Sequence, residues 1–273
     1  MMSVGALSVI YWRMREKVSS EWFLFGGVVW ALAIAAKVAM DLTISNALAR
    51  WLADRYELAS LAIIWGLVVG LRTGYLECGF TYIACIKSRL KKANFVSAVA
   101  FGIGFGAVEA MVLGFTSLIN ILALIFSPEL INLVPPQQRE LLIQQFSMGL
   151  AIIPAPIIER FFTLMAHIFS AILIIYAVQV GKAEYFLASF AYKSLLDGMI
   201  PWLNRNVGIG SLQGIYTIET IVIIYGFVGL MGTLVIGRRF GKPVKPGLSF
   251  KKAGMMLLAL LIMLMALLLM PEV

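Results

Sequence analysis

Apolar residues come along this chain in long blocks separated by short polar connections. Eight blocks read as helices, at about 1–12, 22–40, 58–86, 93–127, 146–180, 185–204, 215–236 and 253–270. Apolar runs of about 18 residues or more can cross the bilayer core, where each backbone N–H and C=O must find its partner within the helix. The pattern predicts an all-α, polytopic transmembrane helix bundle of eight spans in a single integral membrane domain, residues 1–273. The first block, about 18 Å long if helical, is short for a span, and without it the count is seven.

The connections have character of their own. Asp41 to Glu57 places Ile44, Leu48, Trp51 and Leu52 at helical spacing among polar residues, the pattern of a helix lying along the membrane interface. Pro135-Pro136 predicts a turn followed by a short helix. The fourth and fifth blocks exceed a bilayer's needs, and Gly102-Ile-Gly-Phe-Gly106 and Pro154-Ala-Pro156 are the expected breaks. Two small-residue stripes, Gly66/Gly70/Gly74 and Ala98/Gly102/Gly106/Ala110/Gly114, suit close helix contact and are expected to bring the third and fourth spans together.

Composition agrees with the pattern: 61% of residues are hydrophobic and 13% charged, and the mean hydropathy is +0.94. Soluble domains are nearer about half apolar and a quarter charged. The formal net charge of +8 does not point to nucleic acid, because the basic residues lie in the connections. Odd connections carry fourteen of them, from Arg13 to Lys252; even ones carry Arg50, Arg55, Arg139 and Arg205. The positive-inside rule then places both termini outside and the odd connections in the cytoplasm of a multi-pass cell-membrane protein. No cleavable leader is expected, since Met1 to Trp12 lacks a basic start and a small-residue cleavage site. Cys78 and Cys85, seven apart in one block, form neither a disulfide framework nor a zinc knuckle.

Nine charges fall inside the expected spans: Lys37, Arg72, Glu77, Glu109, Glu159, Arg160, Lys193, Asp197 and Glu219. An ionised group in hydrocarbon is costly, so such residues turn inward, pair and mark functional sites. Lys37 and Glu219, close to block ends, are expected to snorkel. Glu77, Glu109, Glu159, Arg160, His167 and Asp197 remain as candidate site residues. His167, the single histidine, shares a helix face with Arg160. Lys193 and Asp197 are spaced for an ion pair along one helix. Three glutamates and a histidine at overlapping depth have the chemistry to hold a water and relay its proton. Zinc usually takes two or three histidines plus a carboxylate, or cysteines. The residues here do not specify a metal; any metal would rest on His167 with Glu109 or Glu159.

The order of these residues over about 20–235 resembles the YhfC family of intramembrane proteases, grouped with PrsW-type and type II CAAX prenyl proteases. Tyr75-Leu-Glu-Cys-Gly-Phe-Thr-Tyr82 is similar to its paired-glutamate motif, with Glu77 kept, Cys78 at the second glutamate and Thr81 at the arginine. Gly102-Ile-Gly-Phe-Gly-Ala-Val-Glu109 resembles its Gly-x-Gly-His-Gly stretch, with Phe105 at the histidine. Glu159-Arg160 with His167 and Ser170 resembles the third motif, and Lys193-Ser-Leu-Leu-Asp197 the fourth, with Lys193 at its histidine. The resemblance implies that glutamate activates water while histidines orient it or bind metal.

Three functions stand on this reading. One is an intramembrane endopeptidase acting on a transmembrane or membrane-associated peptide, with Glu77 activating water, Glu109, Glu159 and His167 assisting, and Arg160 steadying carbonyl charge. The second is a catalytically silent member that binds membrane peptide or lipid. The third is a proton- or cation-coupled transporter, against which the halves show no inverted repeat.

Overall fold

A computed structural model describes residues 1–242 and 247–269. In chain order the helices are α1 (Met2–Glu16), α2 (Ser20–Met40), α3 (Asn46–Ala53), α4 (Leu58–Thr73), α5 (Gly79–Lys87), α6 (Phe95–Phe126), α7 (Pro136–Ser147), α8 (Pro154–Val180), α9 (Ala183–Asn206), α10 (Leu212–Gly237) and α11 (Phe250–Leu269). The described residues are helices and short connections, the all-α bundle expected. Among them, five stretches are long and apolar enough to cross a membrane: Ser20–Ala53, Ser60–Lys87, Phe95–Phe126, Gly149–Val180 and Leu212–Gly237. The other three expected spans are also helical. At 15 residues α1 reaches only about 22 Å. Helix α9 carries the charges of Lys193 and Asp197 and is held between α4 and α8. The last expected span is helical to Leu269, and its residue 270 lies outside the described residues.

Helix α8 is the hub. It packs on α6, α9 and α10; α6 in turn carries α1 and α2, and α9 carries α4. Between helices in lipid the drive is packing more than water exclusion, and glycines set how near the axes come. A Cβ on Gly26 would lie 2.0 Å from the Phe101 carbonyl oxygen, and one on Gly104 2.0 Å from that of Phe23. Helices α2 and α6 therefore touch backbone to backbone.

Several expectations change. Asp41–Glu57 is not a separate interfacial helix. No glycine or proline interrupts Met40 to Ala53, so a π-helical turn over Asp41–Ser45 carries α2 straight into α3. Gly102–Gly106 is not a break either, because α6 runs unbroken through it. Glycine in lipid keeps its backbone hydrogen bonds, and here it admits neighbours: Gly102 and Gly106 face Ile168 and Leu164 of α8, while Gly104 faces α2. The proline break does occur, with α8 starting at Pro154 after a tight turn at Gly149–Ile152. Pro135-Pro136 opens α7 as expected. The two stripes do not join the third and fourth spans. Gly66, Gly70 and Gly74 lie against Gly198, Ser194 and Phe190 of α9, whereas the α6 stripe meets α8 and α1.

Candidate functional site

Glu77 lies on a π-helical turn, Gly74–Cys78, inserted between α4 and α5. Such one-turn bulges redirect side chains and recur at functional sites. The turn points Glu77 at two lysines from different helices. Lys37 Nζ donates to Oε1 at 2.5 Å, and Lys193 Nζ stands 2.8 Å from Oε2 in an ion pair. All three side chains are buried.

Lys193 Nζ also lies 3.2 Å from His167 Nδ1. An ammonium can only donate, so Nδ1 accepts, and the ring hydrogen sits on Nε2. From there it reaches Glu109 Oε2 at 3.0 Å. Glu109 is held from two more sides, by Trp30 Nε1 at 2.9 Å and Arg160 Nη1 at 2.7 Å. Arg160 donates its other nitrogen to Glu159. The network thus links Glu77, His167, Glu109, Arg160 and Glu159, and Lys37 extends it to Asp197 at 3.6 Å.

Every candidate site residue is in this network, but some partners differ from expectation. Lys193 does not pair with Asp197 along α9. Lys193 turns to Glu77, while Asp197 accepts from Thr73 Oγ1 at 2.6 Å. Lys37 does not snorkel: it is buried and turned inward onto Glu77. Arg72 stands apart on Asp41 and Ser45. Trp30 escaped sequence reading because an indole in an apolar run carries no polar signal. Glu219 also fails to snorkel; it is buried on α10 with Oε2 lacking a hydrogen-bond partner.

Beside Glu77 and His167 lies a cavity of about 10 Å³, also lined by Thr81, Phe105, Ser170 and Ala171. That is room for about one water. Cys78 faces the hydroxyls of Ser189 and Ser170 at 3.6 and 3.9 Å.

The sequence matches the family model of the YhfC intramembrane metalloprotease over residues 1–222. This chain is a member of the YhfC family. No curated protein and no solved structure matches it.

The YhfC description implies a metal, and the donors here do not fit one. A neutral imidazole has a single lone pair, and that of His167 points at Lys193. Both oxygens of Glu77 face ammonium groups. The Phe105 ring lies 5.1 Å from that of His167 and cannot ligate. Among the described residues no three His, Cys, Asp or Glu side chains gather into a metal cage. The Lys193 ammonium instead takes up Glu77 Oε2 and His167 Nδ1.

Proposed function

We propose that this protein is a catalytically silent YhfC member, in which an internal ion-pair network replaces the proteolytic centre and the bundle binds a membrane-embedded ligand. The observation that carries the reading is Lys193 Nζ wedged between Glu77 Oε2 and His167 Nδ1. Hydrolysis needs a base with a free lone pair aimed at a water. Glu77 meets two ammonium groups, the accepting nitrogen of His167 is taken, and Glu109 already accepts from Trp30, Arg160 and His167. A cavity of about 10 Å³ also leaves no place for a peptide bond beside the water.

One observation favours a second reading, metal-free hydrolysis. The same one-water cavity is lined by Glu77 and His167, the pair that would have to share the proton. A transmembrane reporter, incubated with wild-type protein and with Glu77→Gln, separates the two, with total zinc measured on the wild-type sample. The silent reading expects an intact reporter in both cases and zinc well below one per chain. Cleavage by the wild type that disappears in Glu77→Gln would overturn it, and stoichiometric zinc would overturn the misfit of the donors.

The charge asymmetry of the connections further supports an orientation with both termini outside and the odd connections in the cytoplasm. A reporter enzyme active only in the cytoplasm, fused after Val273, should stay silent. Activity there would reverse the topology.

A further inference from the structure

At the Glu159 end of the network, α6, α7, α8 and α10, together with Met1 and Met2, line an open cavity of about 810 Å³. Its walls are mainly aliphatic and aromatic, including Ile121, Phe146 and Ile157, and the two charged side chains on them are both acidic, Glu159 and Glu219. Glu159 is engaged by Arg160. Glu219 is not engaged: it is only 7% exposed, and its Oε2 is buried with no hydrogen-bond partner. A buried carboxylate without a partner is costly in an apolar setting, so an occupant that supplies a donor there gains a strong contact. The cavity is open to its surroundings, since Leu118, Ile121, Ile153 and Ile157 on its walls are 41–51% exposed.

We infer that this cavity binds a single-chain amphiphile bearing a primary ammonium group, with the alkyl chain along the Ile121–Phe146–Ile157 walls and the ammonium on Glu219. Charge complementarity at Glu219 selects the head: both charged side chains on the walls, which also carry Met1, are anionic. Size selects the tail. A helix about 10 Å across would fit for only about two turns, whereas small-molecule sites span roughly 300–1,000 Å³. The inference deepens the ligand-binding part of the silent-member reading, and its failure is distinguishable from that of the catalytic part, because the test involves no hydrolysis.

The test is displacement of a fluorescent alkylamine from the full-length protein in phosphatidylcholine nanodiscs. Dodecylamine is expected to compete about tenfold or more better than dodecanol, and Glu219→Gln should erase that preference. Ile157→Trp, which fills the cavity and leaves the carboxylate in place, should weaken both competitors. Lysophosphatidylethanolamine tells the sources apart: if it competes as well as dodecylamine, the ligand is a lipid headgroup amine, and if only dodecylamine competes, it is a free alkylamine. Equal competition by amine and alcohol on the wild type needs no variant and overturns the proposal. So does an amine preference that survives Glu219→Gln, or equal displacement by an apolar peptide with a blocked N-terminus.

Discussion

Glu77→Ala is expected to lower the unfolding free energy by about 3–5 kcal/mol, the cost of breaking a buried ion pair from one side. The carboxylate stands between Lys37 and Lys193 at 2.5 and 2.8 Å, and alanine would leave Lys193 buried without its ion-pair partner and Lys37 with Asp197 alone, at 3.6 Å. Neither lysine can swing to water, since both are buried at 8% and 2% exposure. The physical content lies in the reversal. Removing all three charges, as Glu77→Leu with Lys37→Met and Lys193→Met, should recover most of the loss, because well-packed apolar groups replace buried ion pairs at little cost. Denaturant-induced unfolding in mixed micelles reads both variants. A Glu77→Ala protein as stable as wild type would mean that the lysines have other partners.

The second large effect belongs to the α2–α6 crossing. Gly104→Ala would put a Cβ 2.0 Å from the Phe23 carbonyl oxygen and 2.5 Å from its Cα. These obstacles are backbone atoms, so no rotamer change relieves them and the helices must separate. Overpacking of a side-chain core costs about 1–3 kcal/mol; a backbone clash belongs at the upper end of that range or beyond. Separation would also draw Trp30 and Lys37, both on α2, away from Glu109 and Glu77. The fluorescence of Trp30 should shift along with the loss of stability. Gly79→Ala is the control. A Cβ there meets nothing within 4 Å, and alanine inside a helix should gain about 0.5–1 kcal/mol. Similar stabilities for the two variants would show that the crossing is looser than the described contact.

The misfit of the metal site and the stability of the network share one cause. At positions 105 and 193 this chain has a phenylalanine and a lysine. A lysine brings a permanent donor and a positive charge into a space bounded by Glu77 and His167. It pairs with Glu77 Oε2 and stands against the accepting nitrogen of His167. On the silent-member reading proposed above, the same contacts that supply counter-charge inside the bundle take a base out of service.

What could be read from the chain alone follows from local physics. The helices were legible because a segment in lipid must satisfy its backbone internally, and the proline break because proline lacks the N–H at a known position. The candidate residues were legible because a charge in hydrocarbon is expensive wherever it sits, and all six meet in one network. The Gly102–Gly106 stretch was misjudged because glycine permits either a bend or a close neighbour, and only the presence of Phe23 and Ile168 decides between them.

Pairing was beyond the sequence. Lys37 meets Glu77 across 40 residues, Arg160 meets Glu109 across 51, and Trp30 meets Glu109 across 79. Each choice depends on which helices lie side by side. Lys37 and Glu219, whose positions near block ends suggested snorkelling, lie inside, Lys37 on Glu77 and Glu219 on the cavity wall. By itself the sequence determined that charges would be buried in a helical bundle. Tertiary structure alone decided which cation faces which carboxylate, and that Glu219 pairs with none among the described residues, because long-range electrostatic partners are set by helix packing and not by spacing along the chain.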